Sequence, residues 1–138
     1  MWWIYALLSA FFASLTAILA KVGIKNMDSD FATAIRTLVI LVITWSIVFF
    51  KGNFTSHASS LSRQNILFLV LSGAATGLSW LFYFRALQVG NVSQVAPVDK
   101  LSVALTIILS IVFLHESITL KTALGAALIL AGIFLVIK

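Results

Sequence analysis

Charged residues and a proline interrupt an apolar stretch in the last third of the chain. Pro97, Asp99 and Lys100 lie almost side by side within residues 92–114, which are otherwise dominated by aliphatic side chains. Inside a bilayer a charged side chain costs about 2.5–3.5 kcal/mol on insertion scales, so a membrane protein that keeps an acid and a base there generally uses them. The pattern predicts a role in packing or in moving a polar solute.

Counting from the turns places more charges near the same depth. Arg85 and Asp99 lie six residues before and eight residues after Asn91, which puts both roughly 9–12 Å from that turn at about 1.5 Å per helical residue. Lys21 lies seven residues before Asp28, and Arg36 lies eight residues after it; Asp28 is the centre of the turn between the first two spans. We therefore expect these groups to approach one level on one side of the membrane.

Asp99 needs a partner at that level. Adjacent helical residues point about 100° apart, which predicts that Lys100 does not neutralise Asp99 and that Asp99 faces Arg85 instead. Pro97 removes a backbone donor and frees carbonyls that a polar ligand could use.

Two overlapping interpretations follow for this cluster. In the first, Arg85 and Asp99 form a structural ion pair while the other bases extend to the headgroups. In the second, the cluster lines the entry for a polar or anionic substrate, with Trp80 or Tyr83 lining a cavity. The candidate residues are Lys21, Arg36, Trp80, Tyr83, Arg85, Pro97, Asp99 and Lys100.

Other reactive residues give weaker signals. Glu116 follows His115 at a span end, and this pair supplies no tetrahedral ligand set. We expect Glu116 to cap the last helix, with proton handling as the alternative. The chain has no cysteine, and His57 lies in a polar connection without a partner for catalysis. We expect no metal site, no cofactor and no enzymatic activity.

Small residues recur at helical spacing in the third and fifth apolar stretches. Such rows allow helix backbones to approach closely in membranes. They predict one contact within the chain and one contact in a dimer. The positions are Gly73 and Gly77 in a G-x-x-x-G pattern, and Ala123, Gly125, Ala127, Ala131 and Gly132.

Composition assigns the chain to the membrane class. Its 138 residues are 62% hydrophobic and 9% charged with a mean hydropathy of +1.14, whereas globular domains are about 45–50% apolar and about 25% charged. Continuous runs of about 20 apolar residues predict helices rather than barrel strands. We expect an all-α, polytopic protein with a single transmembrane domain over residues 1–138. The five predicted spans are about 2–20, 31–50, 66–84, 92–114 and 118–137.

Basic residues orient the spans only weakly. The first span lacks a basic leader segment, so we expect that it is not cleaved as a signal peptide. The net charge of +5 comes from single bases at span ends, which argues against nucleic-acid binding. The small excess of bases on the C-terminal side favours a cytoplasmic C-terminus and leaves insertion in both orientations open. The bases are Lys51, Arg63 and Lys121 on the N-terminal side, and Lys21, Lys25, Arg85 and Lys138 opposite, with Arg36 and Lys100 deeper.

The second half of the chain resembles a known repeat. Residues 86–103, the segment Leu114-His-Glu-Ser-Ile-Thr119 and the glycines of the last span are similar to the EamA-type repeat of the drug/metabolite transporter superfamily, in its five-span bacterial and archaeal subgroup. Pro97 matches the family's proline-containing fourth span, and Glu116 matches its acid before the last helix. The first span lacks the carboxylate of the four-span multidrug relatives, which argues against proton–drug antiport through such an acid.

The resemblance implies a function and an assembly. Family members commonly have ten spans built from two such units in inverted orientation, so one unit implies a homodimer, with the copies antiparallel. We expect a transporter half-unit in the cell inner membrane that moves a small metabolite or drug-like solute by alternating access. The alternative is a non-transporting membrane scaffold or partner subunit.

Overall fold

A computed structural model describes residues 1–52 and 61–137 of the chain. These residues form helices and short connections, without strands, which confirms the all-α class. His57 and Lys138 lie outside the described residues. The helices are α1 (Trp2–Gly23), α2 (Ser29–Phe50), α3 (Arg63–Val89), α4 (Val92–Asp99), α5 (Leu101–Leu114) and α6 (Leu120–Ile137).

Five helical segments of the described chain are long and apolar enough to cross a membrane. They coincide with the five predicted spans, although α3 is longer than expected because it continues through polar residues at both ends. The segments are Trp2–Gly23, Ser29–Phe50, Arg63–Val89, Val92–Leu114 and Leu120–Ile137.

Local chemistry fixes the helix ends. The Asp28 side chain caps α2 by accepting hydrogen bonds from the amides of Asp30 and Phe31, both at 3.0 Å. Past the other end of α2, Gly52 adopts a φ of +69°, a backbone conformation that glycine takes without steric cost. α5 ends at Leu114, and the capping residue His115 that follows it adopts a left-handed conformation with φ 54° and ψ 32°.

The chain divides into two compact units, one formed by residues 1–18 with 89–137 and the other by residues 19–88. In the second unit the end of α1, the start of α2 and the end of α3 meet. Its buried apolar residues are Ile24, Phe84 and Leu87, with 2%, 2% and 0% of their surface exposed.

In the other unit, α4 and α5 pack against α6. The inward side of α6 carries Ala123, Ala126 and Leu130, which are half-buried, and Ile133, which is buried. Their spacing of three and four residues defines one face of a helix.

The glycines of the two small-residue rows make no close contact within the described part of the chain. An added Cβ at any glycine of either row would meet no atom within 4 Å, so no backbone approaches closely there. On α6 the inward face carries Ala123, Ala126, Leu130 and Ile133, so Ala123 is the residue of the predicted row that lies on this face. The residues concerned are Gly73, Gly77, Gly125 and Gly132, with Ala127 and Ala131 exposed on α6. A contact between copies along these rows stays a prediction.

The packing of the second unit predicts a stability difference between two leucines. Leu87→Ala should lower the free energy of unfolding by about 1–3 kcal/mol, because the substitution leaves a cavity in a filled site. The hydrophobic effect adds little to this loss, because lipid is as apolar as the leucine side chain. Leu128→Ala should cost less than about 0.5 kcal/mol, because 74% of Leu128 is exposed. Reversible unfolding in mixed micelles measures both, and equal losses would contradict the packing described.

Candidate functional site

Arg85 pairs with Asp30 across α3 and α2. Its Nε donates to Asp30 Oδ1 at 3.1 Å and its Nη2 donates to Asp30 Oδ2, so the contact is bidentate. Such a fork uses two guanidinium donors and both carboxylate oxygens. This corrects the expected pairing of Arg85 with Asp99.

Two further hydrogen bonds close the same end of the second unit. Lys21 Nζ donates to the Leu87 carbonyl oxygen near the end of α3. Gln88 Nε2 donates to the Met27 carbonyl oxygen at 3.0 Å in the connection between α1 and α2. Carbonyl groups near a helix C-terminus carry partial negative charge, which suits a lysine there. These bonds tie the first hairpin to α3.

Arg36 is held differently from the other deep bases. Its guanidinium carbon lies 4.4 Å from the ring centroid of Trp80 and 5.0 Å from that of Phe84. The side chain is half-buried on α2, and Phe84 beneath it is buried. Within the described residues, no carboxylate oxygen lies within 4.0 Å of Arg36. Ring faces therefore replace a carboxylate as the neighbours of this charge.

Tyr83 adjoins this group on α3. Its ring meets that of Phe84 edge to face, with the centroids 6.2 Å apart. The structure thus brings the predicted residues Trp80 and Tyr83 to the level of Arg36. A cavity lined by these aromatic residues stays a prediction.

The fourth span is broken where the proline and the charges lie. α4 ends at Asp99 and α5 starts at Leu101, with Lys100 between them. The Lys100 amide bonds to the Pro97 carbonyl at 2.9 Å, and the Val103 amide bonds to the Lys100 carbonyl at 3.0 Å. Both bonds join residues three apart, so the regular pattern of four is interrupted here.

Asp99 is neutralised by its own neighbour. Lys100 Nζ lies 3.2 Å from Asp99 Oδ2, which corrects the prediction that adjacent residues on one helix could not pair. The angular argument failed because the helix breaks between these residues and because the lysine side chain is long enough to fold back. Pro97 lies inside α4, three residues before Lys100, and a ligand role for its freed carbonyls stays a prediction.

The cap of the last helix is Thr119 rather than Glu116. The Thr122 amide donates to Thr119 Oγ1 at 3.2 Å, and the Ala123 amide donates to the Thr119 carbonyl at 3.0 Å. Glu116 lies farther from the first turn of α6, and its amide bonds back to the Ser110 carbonyl at 3.3 Å. Thr119 immediately precedes Leu120, where α6 starts, which is where a cap belongs.

Sequence reasoning missed Asp30. Asp30 lies in the first turn of α2, where an acid is favoured by the helix dipole. The available signal was the presence of two acids at the start of α2. Asp28 alone suffices as the cap, so the carboxylate of Asp30 can pair with another residue. No group of three or more potential metal ligands occurs in the described part of the chain.

Comparisons with known proteins give a match to a family model and two similar proteins. The model of the EamA-like transporter family matches residues 1–138. An uncharacterized transporter from a Sinorhizobium species, described as lying in the cobO 3′ region, is 50% identical over 134 residues, 97% of this chain and 94% of that protein. An uncharacterized protein of Methanocaldococcus jannaschii is 36% identical over 76 residues, 54% of this chain and 56% of that protein. No solved structure matches the chain.

The bidentate pair predicts a rescue by charge exchange. Arg85→Asp or Asp30→Arg alone should lower the thermal unfolding midpoint, because each places two like charges side by side. The double variant should recover most of the loss, since it restores an ion pair at the same place. Thermal unfolding of the four proteins in one detergent measures the effect. Recovery by the exchange Arg85→Asp with Asp99→Arg instead would contradict the pairing with Asp30.

Proposed function

The chain belongs to the EamA-like transporter family, and from that premise we propose that it is one half of a transporter that works as a homodimer. The observation that carries the proposal is the family match over every residue of a chain with five candidate spans. The two copies would lie antiparallel in the cell inner membrane and move a small metabolite or drug-like solute by alternating access.

The number of spans supports the need for a second copy. The family's ten-span members contain two units of this size in inverted orientation, and such repeats place their substrate site between the halves. One chain with five spans supplies one half of that arrangement. The exposed small-residue rows on α3 and α6 offer surfaces on which helices of two copies could approach closely.

The broken fourth span supports the proposed conformational change. Transporters commonly use interrupted helices, because backbone groups released from helical bonding can bind solutes and because the break allows the halves to move. The interruption at Lys100, three residues after Pro97, and the charge pair of Asp99 and Lys100 support a role of this segment in both. We propose that Asp99 and Lys100 act in the transport cycle there.

Transport should therefore depend on the carboxylate at this break. Purified protein is first screened for stabilisation by a metabolite panel, because a ligand that binds the native state raises its stability. Flux of the stabilising solute is then measured in proteoliposomes. Asp99→Asn should abolish most of the flux while membrane insertion is unchanged, and Lys121→Gln at the start of α6 should retain it.

Full flux in the Asp99→Asn protein would remove Asp99 from the cycle. If the protein moves no stabilising solute and instead copurifies with one foreign protein in equal amounts, the scaffold alternative gains support. A self-associated protein of two copies agrees with the transporter proposal.

An antiparallel dimer predicts labelling of one position from both sides of the membrane. The chain has no cysteine, so Asn26→Cys places a single thiol in the connection between α1 and α2. An impermeant maleimide should label about half of the molecules from each side, and Gln64→Cys at the start of α3 should give the complementary halves. Labelling of either variant from one side only would rule out the antiparallel arrangement.

A further inference from the structure

The two arginines of the second unit use their hydrogen-bond donors in different ways. Arg85 spends two of its donors on the Asp30 carboxylate, which also cancels its charge. Arg36 instead lies over two aromatic rings, and the part of the chain that the structure describes contains no carboxylate bonded to it. The difference separates Arg85, which completes a structural ion pair, from Arg36, whose charge has no carboxylate partner among the described residues.

Contact with aromatic faces leaves the hydrogen-bonding capacity of Arg36 in place. A guanidinium is attracted to a ring face through its charge, whereas its five N–H groups form hydrogen bonds along the edge of the planar group. The rings of Trp80 and Phe84 therefore orient and partly desolvate the cation without occupying its donors. An arginine arranged in this way matches the bidentate geometry of a carboxylate.

The position of Arg36 makes an unmatched charge costly. It is the eighth residue of α2, roughly 10–12 Å along a span that starts at Ser29. Its side chain is half-buried, so water or a ligand can still reach it. A charged residue at such depth generally pairs with another group or marks the path of a solute.

The surroundings also favour one class of ligand over others. One guanidinium balances one negative charge, so a monoanion leaves the site neutral whereas a phosphate dianion leaves excess charge in apolar surroundings. Exposed apolar side chains within one turn of Arg36 on α2, such as Val39, suit an apolar body attached to the anionic group. A cationic solute would meet a like charge at rings that Arg36 already covers.

We infer that the guanidinium of Arg36, held over Trp80 and Phe84, binds the carboxylate of an organic monoanion with an apolar body, and that the transported solute belongs to this class. The second half of the inference rests on the proposed transport function. The first half is a statement about binding alone, so it is tested without transport.

The binding test uses benzoate with the full chain in detergent micelles. Calorimetry and the thermal unfolding midpoint are measured for sodium benzoate, inorganic phosphate and tetraphenylphosphonium chloride at one ionic strength. The wild-type protein should bind benzoate and gain stability, with weaker effects of phosphate and none of the cation. Arg36→Gln should weaken benzoate binding by roughly ten- to hundredfold, which is the effect expected for losing hydrogen bonds to a charged group.

Two further variants control for charge and folding. Arg36→Lys keeps the charge but loses the bidentate geometry, so its affinity should fall between those of the wild type and Arg36→Gln. Arg63→Gln removes an arginine charge at the start of α3, 22 residues before Arg85, and serves as the control for charge. This variant should bind benzoate like the wild type. Gel filtration and circular dichroism check that each variant is folded. If Arg36→Gln does not fold, the comparison is made between the wild type and Arg36→Lys.

Equal benzoate affinity in the wild type and the Arg36 variants, or no benzoate binding, would overturn the inference. Tighter binding of phosphate would overturn the carboxylate class, and stabilisation by tetraphenylphosphonium alone would point to cationic solutes. Flux in proteoliposomes separates the two proposals. Flux of another solute without Arg36-dependent benzoate binding would contradict this inference and support the proposed transport function. Arg36-dependent benzoate binding without flux of any solute would support the binding site and contradict the transport function.

Discussion

The interior of a bilayer solvates charge poorly, and this constraint explains the polar architecture of the chain. A charge placed at depth requires a neighbour that compensates for the lost water. The structure shows several kinds of neighbour: a carboxylate for Arg85, a backbone carbonyl for Lys21, two aromatic faces for Arg36 and an adjacent base for Asp99. These solutions differ in how completely they cancel the charge, and that difference separates structural groups from candidate binding groups.

The same constraint made the fold predictable from the sequence. The bilayer thickness fixes the length of a span, and backbone groups in lipid must bond within their own helix. Hydropathy and length therefore located all five spans. The ends of α3 were less predictable, because Arg63 and Gln88 lie outside its apolar stretch and yet continue its helix. The backbone hydrogen bonds of α3 therefore continue beyond its apolar residues at both ends.

The partners of the charged residues were much less predictable. Counting from a turn gives the depth of a residue but not its direction around the helix axis, and direction decides which groups meet. Depth correctly brought Lys21, Arg36 and Arg85 to one end of the second unit, while the partner of Arg85 was misassigned. Asp99 was misassigned because α4 stops there, so the geometry of a continuous helix did not apply. The aromatic support of Arg36 depends on the packing of α2 against α3, which sequence spacing alone does not encode.

A self-contained ion pair and a charge on aromatic faces have different consequences for a transport cycle. The pair of Arg85 and Asp30 balances its own charge, so it leaves no net charge for a solute to neutralise. No carboxylate among the described residues balances the charge of Arg36, so a bound anion would change the net charge of this site. A ligand shifts a conformational equilibrium only by its differential affinity for the two states. Since a neutral site costs less than a charged one in apolar surroundings, an anion on Arg36 would stabilise conformations that close around the site. Under the proposed function, Arg36 would in this way couple solute binding to the change of access.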